Sequence, residues 1–162
     1  VYTIIPDFGQ FVGIKNKGLL FTFLTIASLL IRLLAGKASD RYGRAPVLMV
    51  STIGIVVSML VIGTAESALQ LMIGVSIYGL AHGSTSPTLL AWATDLSHDQ
   101  FKGRAIASLY IFMELGIGLG SFISGLVYAN DPSRFFLVFL MSGILAMIAF
   151  LYLLLRRRLS PI

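Results

Sequence analysis

"GKASDRYGRAP", Gly36 to Pro46, places Lys37, Asp40, Arg41 and Arg44 within eight positions, between two long apolar runs. The runs are Gly18–Ala35 and Pro46–Thr64. Each is long enough to cross a hydrocarbon core, which takes about 17–25 apolar residues. A charged stretch between two such runs is expected to be a connection at a membrane surface. It is either a wet turn that caps two helices or a working part, and its surroundings must decide.

The rest of the 162-residue chain has the same character. It is 57% hydrophobic and 12% charged, about half the charge of an ordinary soluble domain. So few charges cannot coat a water-facing surface, and the apolar residues fall in blocks. The expected fold class is an all-α integral membrane protein, with residues 1–162 forming a single transmembrane unit. Three further full spans follow at Ala68–Thr94, Arg104–Tyr128 and Phe135–Leu155, with a kink expected at Pro87. Val1–Val12 reads as a partial span interrupted by Pro6 and Asp7. Barrel strands would alternate over about 10 residues instead of running apolar for 20. The chain opens at Val1 inside an apolar stretch, so it is expected to be a piece of a longer protein.

The net charge of +5 lies between hydrophobic blocks, which points to membrane topology and away from nucleic acid. The absence of cysteine removes disulfides and thiolate metal sites. Lys37, Arg41, Arg44, Lys102, Arg104, Arg156, Arg157 and Arg158 fall on one side of the expected topology, against Lys15, Lys17 and Arg134 on the other. Eight against three puts the opening stretch and the C-terminus in the cytoplasm of a multi-pass plasma (inner) membrane protein.

Ionisable groups inside spans are costly and each needs an account. Glu114 lies ten residues past Arg104, roughly 15 Å into the membrane. Burial there would raise its pKa and let it hold and release a proton; alternatively it is a protonated carboxyl bonded to a neighbouring helix. His82 lies 14 residues past Ala68, roughly 21 Å along its helix, with Tyr78, Thr85 and Ser86 on its face. It either takes part in substrate or proton binding or makes a helix–helix hydrogen bond. Arg32 is expected to snorkel to the cytoplasmic interface. Asp95 and Asp99 are expected to form a solvated cluster with Lys102 and Arg104. Asp7 can line a path from outside, and Trp92 reads as an interfacial anchor. Gly79 and Gly83 space small residues four apart, as do Gly116 and Gly120, and Ser121 and Gly125. Such faces let helices approach closely.

No phosphate-binding loop, zinc-ligand spacing or nucleophile elbow occurs. An enzyme is not expected, nor a cofactor or metal.

Gly36, Asp40, Arg41, Gly43 and Arg44 form G-x-x-x-D-R-x-G-R, which resembles the signature loop of the major facilitator superfamily. "YGLAHGSTSPTLLAWATDL" is similar to the fourth helix of a six-helix half in that superfamily. "DQFKGRAIASLYIFMELGIGLGSFISGLV" is similar to the next loop and the glycine-rich fifth helix. Ala45 stands where the family often has another basic residue, and Gly120-Ser121 where it has Gly-Pro; both fit a second-half copy. The resemblance implies the C-terminal half, with its first helix cut and an N-terminal six-helix half missing. It also implies a secondary transporter of small solutes that works by alternating access. Proton-coupled efflux of drug- or sugar-like compounds is the finer expectation. Asp40, Arg41 and Arg44 would then act as a conformational gate whose partners lie mainly in the missing half. The rival reading is a non-transporting membrane receptor or scaffold that binds partners through its small-residue helix faces.

Overall fold

The computed structural model describes residues 2–159, with side chains through Arg157; Val1 and the Arg158 side chain lie outside the described residues. Its helices are α1 (Ile5–Phe11), α2 (Lys17–Tyr42), α3 (Arg44–Gly63), α4 (Ala68–Asp95), α5 (Lys102–Tyr128) and α6 (Phe135–Leu159). Single 3-10 turns at Asp99–Phe101 and Pro132–Arg134 precede α5 and α6. The described residues contain no strand.

The opening stretch is not the loop that its charges suggested. α2 continues through Lys37, Asp40 and Arg41 to Tyr42, and α3 begins at Arg44. Gly43 alone connects them, at φ 91° and ψ 160°. An L side chain there is strained by about 1–3 kcal/mol, so a one-residue reversal between two long helices needs glycine. The charges therefore ride on rigid helix ends. Pro46 sits in the first turn of α3, where its missing N–H costs no intrahelical bond.

Elsewhere the boundaries follow local chemistry. Asn16 caps α2 by accepting from the Gly18 amide, and Ser67 caps α4 by accepting from the Gln70 amide. Pro6 does not interrupt a span; it stands in the first turn of α1, and Asp7 pairs with Lys17 at 3.6 Å. Before α6, the Asp131 carboxylate accepts from the Ser133 amide and hydroxyl and pairs with Arg134. The Ser133 hydrogen bonds hold that carboxyl below its ordinary range. This small contribution is complete above the unfolded pKa and is lost as pH falls through the lowered one.

Successive helices run up and down, so the chain has two end faces. At the face holding Asp7, Lys17 and Arg134, the core joins Phe8, Leu20, Ile62, Leu71, Phe135 and Phe139, all nearly fully buried. Phe8 packs on Phe135 with ring centroids 4.6 Å apart. At the opposite, basic face the core is smaller: Leu48, Met49 and Leu153, with Trp92 against them. Trp92 is no bare interfacial anchor, because the Arg156 guanidinium stacks over its ring at 4.5 Å.

α4 lies between α2 and α3, and α6 packs on α3. α5 touches α4 and α6 at few points and buries no residue. Among the described residues, α2, α3, α5 with its leading turn, and α6 are long and apolar enough to cross a membrane. α4 has the length, 28 residues or about 42 Å, but Gln70, Ser76, His82, Ser84, Thr85, Ser86 and Thr88 dilute its apolar character. Several of its hydroxyls are satisfied within the bundle. Ser84 shares a 2.7 Å hydrogen bond with Ser51 of α3, and Ser76, Thr85 and Thr88 donate to carbonyls one turn back. A helix flanked by two others tolerates such groups where lipid would not.

Candidate functional site

The small residues of α4 set how closely its neighbours approach. A Cβ on Gly79 would lie 2.5 Å from the Leu24 carbonyl oxygen, and one on Gly83 2.7 Å from Cα and the carbonyl oxygen of Ser28. α2 and α4 thus meet backbone to backbone. Gly54 of α3 makes room for the Ala81 methyl of α4, which would lie 2.9 Å from a Cβ there. The α5 glycines behave differently: around Gly116, Gly120 and Gly125 there is open space. Among the described residues they meet no neighbour, because α5 stands at the edge of the bundle.

That contrast is testable. Gly83→Ala should destabilise the fold by about 1–3 kcal/mol through overpacking, read as an earlier midpoint in detergent-mediated unfolding of the full-length protein. Gly116→Ala should leave the midpoint unchanged or raise it slightly. Equal losses from the two variants would mean that α5 is covered by something outside this chain.

Close packing of α4 on α2 fixes what stands between the glycines on the third face of α4. Tyr78 is buried, and its ring stacks on His82 at 5.3 Å with the planes 5° apart. Tyr2, just before α1, closes edge-on over both, at 6.1 Å from Tyr78 and 6.0 Å from His82. Neither composition nor spacing singled out Tyr2; its place ahead of an outward-running helix was the available signal. Arg32 also belongs here. Because α2 extends to Tyr42, Arg32 lies ten residues, about 15 Å, from the helix end. Its neighbour Ile31 meets Gly83, the residue after His82. Tyr2, Tyr78 and His82 thus form one cluster of two phenols and an imidazole, and Arg32 is exposed on α2 at mid-helix.

Glu114 is not part of this cluster. It sits midway along α5, exposed, in an open surface depression of about 640 Å³ formed by α5 alone, with Tyr110, Ile111 and Leu115 beside it. The expected burial is absent within this chain, and Glu114 takes part in no ion pair among the described residues. Among the described residues it belongs to no group of three or more His, Asp or Glu side chains that could hold a metal.

At the basic face the geometry is denser than expected. The Arg44 Nε donates to Asp95 Oδ2 at 2.8 Å, and its Nη1 donates to Ser39 Oγ at 2.8 Å and to Asp40 Oδ1. One guanidinium therefore ties the end of α2 to the start of α3 and the end of α4. Within this chain, Arg44 already has three partners: Asp95, Ser39 and Asp40. Asp95 leaves the cluster expected with Asp99; Asp99 pairs with Lys102 at 2.6 Å, and Arg104 stacks on Phe101 at 5.3 Å. Arg41 lies over the ring of Tyr42 at 5.5 Å. Gly36 is exposed within α2, with open space around it.

A helix pair reversed on one glycine and locked by Arg44 is thus what G-x-x-x-D-R-x-G-R builds, and residues 2–161 match the Major Facilitator Superfamily. The chain belongs to that superfamily. A triacylglyceride transporter of Mycolicibacterium smegmatis is 32% identical over 125 residues, covering 74% of this chain and 22% of that protein. Major facilitator superfamily domain-containing protein 4A of Mus musculus is 28% identical over 167 aligned positions, covering 99% and 32%. The uncharacterized MFS-type transporter YhhS of Salmonella typhimurium is 27% identical over 127, covering 78% and 31%. This superfamily chain therefore spans between about a fifth and a third of the length of these relatives.

Proposed function

We propose that this chain is the C-terminal helical half of a secondary transporter that moves small solutes by alternating access. One observation carries the reading. Arg32 on α2 and Glu114 on α5 are opposite charges at mid-helix, and both are left uncovered by this bundle. Ionisable groups at such depth face a bundle interior or a watery cavity, not lipid. Their uncovered faces therefore call for a second helical unit, with the solute between the two. Tyr78, His82 and Arg32 offer hydrogen-bond donors to an acceptor group on the solute, and Glu114 is the proton-coupling residue. The basic face is cytoplasmic in a plasma membrane, by the asymmetry of Lys and Arg. The Arg44 cluster is the gate: it holds three helix ends together in one state and releases them in the other. The relatives named as transporters support this class, and substrate and direction are open to assay.

The test uses the full-length protein in proteoliposomes, with an imposed pH gradient and a pH-sensitive dye inside. Solute-dependent proton flux is expected, and Glu114→Gln should abolish the proton component while solute exchange persists. Absence of solute and proton flux from the wild type, with Glu114→Gln silent in every assay, would favour a receptor or scaffold that uses the open face of α5.

A further inference from the structure

We propose, resting on the transport reading above, that the solute is an organic anion whose carboxylate is held by Arg32, Tyr78 and His82. These three side chains stand on one side of the α2–α4 pair. Gly79 meets Leu24 and Ala27, and Gly83 meets Ser28 and Ile31. The contacts advance together along both helices, so α2 and α4 run parallel. At about 100° per residue, Arg32 is turned about 90° one way from this contact on α2. Tyr78 and His82 are turned about 100° the other way on α4. On two parallel helices that face each other, opposite turns point to the same side. The depths agree as well, because Ile31, next to Arg32, is level with Gly83, next to His82.

The missing counter-charge decides the class. The chain has seven Asp and Glu side chains. Asp7, Asp40, Asp95, Asp99 and Asp131 are each engaged by a lysine or an arginine. Glu66 lies before the start of α4, more than about 21 Å along the helix from His82. Glu114 is on α5, which is not packed on α2. Arg32 thus has no carboxylate beside it among the described residues, and a cation at that depth calls for one. A solute carboxylate supplies it, with two oxygens that match the guanidinium fork. Tyr78 and His82 make no hydrogen bond among the described residues, yet no polar side-chain atom there is both buried and without a partner. The phenol and the imidazole therefore present their polar atoms to accessible space. Each has one proton to donate, and a carboxylate gripped by Arg32 keeps lone pairs for both. A cationic solute would meet Arg32 and find no free carboxylate on this side. A neutral solute would leave the guanidinium uncompensated.

The test presents the full-length protein with butyrate, cyclohexanecarboxylate and phenylacetate, each beside its amide and its amine. Binding is read from the shift of the detergent-mediated unfolding midpoint, and transport from uptake into proteoliposomes. At least one carboxylate should bind about ten- to a hundredfold more tightly than its amide, the worth of a charge-assisted bond. Its amine should not bind. Arg32→Gln should bring that carboxylate and its amide to equal affinity. Arg32→Lys covers the case of a misfolded Arg32→Gln, because it keeps the charge without the fork and should retain only part of the preference. Equal binding of each carboxylate and its amide by the wild type would overturn the anion class. So would binding of none of the three carboxylates, or a full preference that survives in either Arg32 variant. Binding of a carboxylate without uptake of any probe would sink the transport reading instead and leave the anion site standing.

Discussion

Arg44→Ala in the full-length protein is expected to slow transport about tenfold while leaving the protein folded. The argument starts from the geometry. Arg44 uses its fork on Asp40, Ser39 and Asp95, so three helix ends share one cation. The Arg44 side chain is 21% exposed, but Asp40 and Asp95 are 69% and 51% exposed. Water therefore screens both pairs, and each is worth about 0.5–1 kcal/mol at most. Together they bias a two-state equilibrium by about 1–2 kcal/mol, a factor of roughly 5–30. That is too little to unfold a six-helix bundle and enough to unbalance a gate. Asp95→Ala should slow transport about threefold, since Arg44 keeps Asp40, and Arg44→Ala with Asp95→Ala together should be no worse than Arg44→Ala alone, because both pairs run through Arg44. Arg44→Lys should fall between, keeping the charge without the fork. Transport rates measured over a range of gradients in proteoliposomes check all four variants. Additive losses would mean that Arg44 and Asp95 act separately, and the gate would need different partners.

Much of the helix layout was legible because long apolar blocks and charge clusters are composition-level features. The starts of α4 and α6 coincide with the expected ones at Ala68 and Phe135. The failures cluster where one residue decides. A run of charges normally marks a loop, yet Lys37 to Tyr42 continue α2, because helix geometry tolerates charge at a membrane surface and Gly43 alone can reverse the chain. That misreading displaced Arg32 from the middle of α2 to its end. The site suffered more than the fold. Spacing along α4 put Tyr78 and His82 on one face, but sequence carries no signal for Tyr2 arriving from another segment. Spacing also treated the glycines of α4 and α5 alike. Contact with α2 crowds Gly79 and Gly83, while Gly116 and Gly120 meet open space. Such differences belong to packing between distant segments. The motif singled out Asp40 and Arg44, but not that Asp95, 51 positions from Arg44, would join them.

The aromatic cluster yields the largest expected effect on stability and the sharpest separation of packing from function. Tyr78 is 7% exposed and belongs to the main core, so Tyr78→Ala should cost about 3–5 kcal/mol and lower the midpoint of detergent-mediated unfolding accordingly. That result alone would say nothing about solute, since any buried aromatic behaves this way. Tyr78→Phe is the informative partner. It keeps the ring, the stack on His82 and the edge contact with Tyr2, and removes one hydroxyl. If Tyr78 is purely structural, stability and transport both stay near wild type. If its hydroxyl meets the solute, the unfolding midpoint holds while apparent solute affinity falls about fivefold to tenfold, the value of one hydrogen bond of about 1–1.5 kcal/mol. Arg32→Gln extends the logic. Arg32 is exposed in this bundle and forms no ion pair among the described residues, so its removal should spare the fold. A solute that uses its charge should lose affinity by more than tenfold, as the loss of a charge-assisted bond of about 1.5–3 kcal/mol requires. Unchanged affinity in both Tyr78→Phe and Arg32→Gln would move the solute away from the middle of α2 and α4. Glu114 on α5 would then be the remaining anchor for a transport site in this chain.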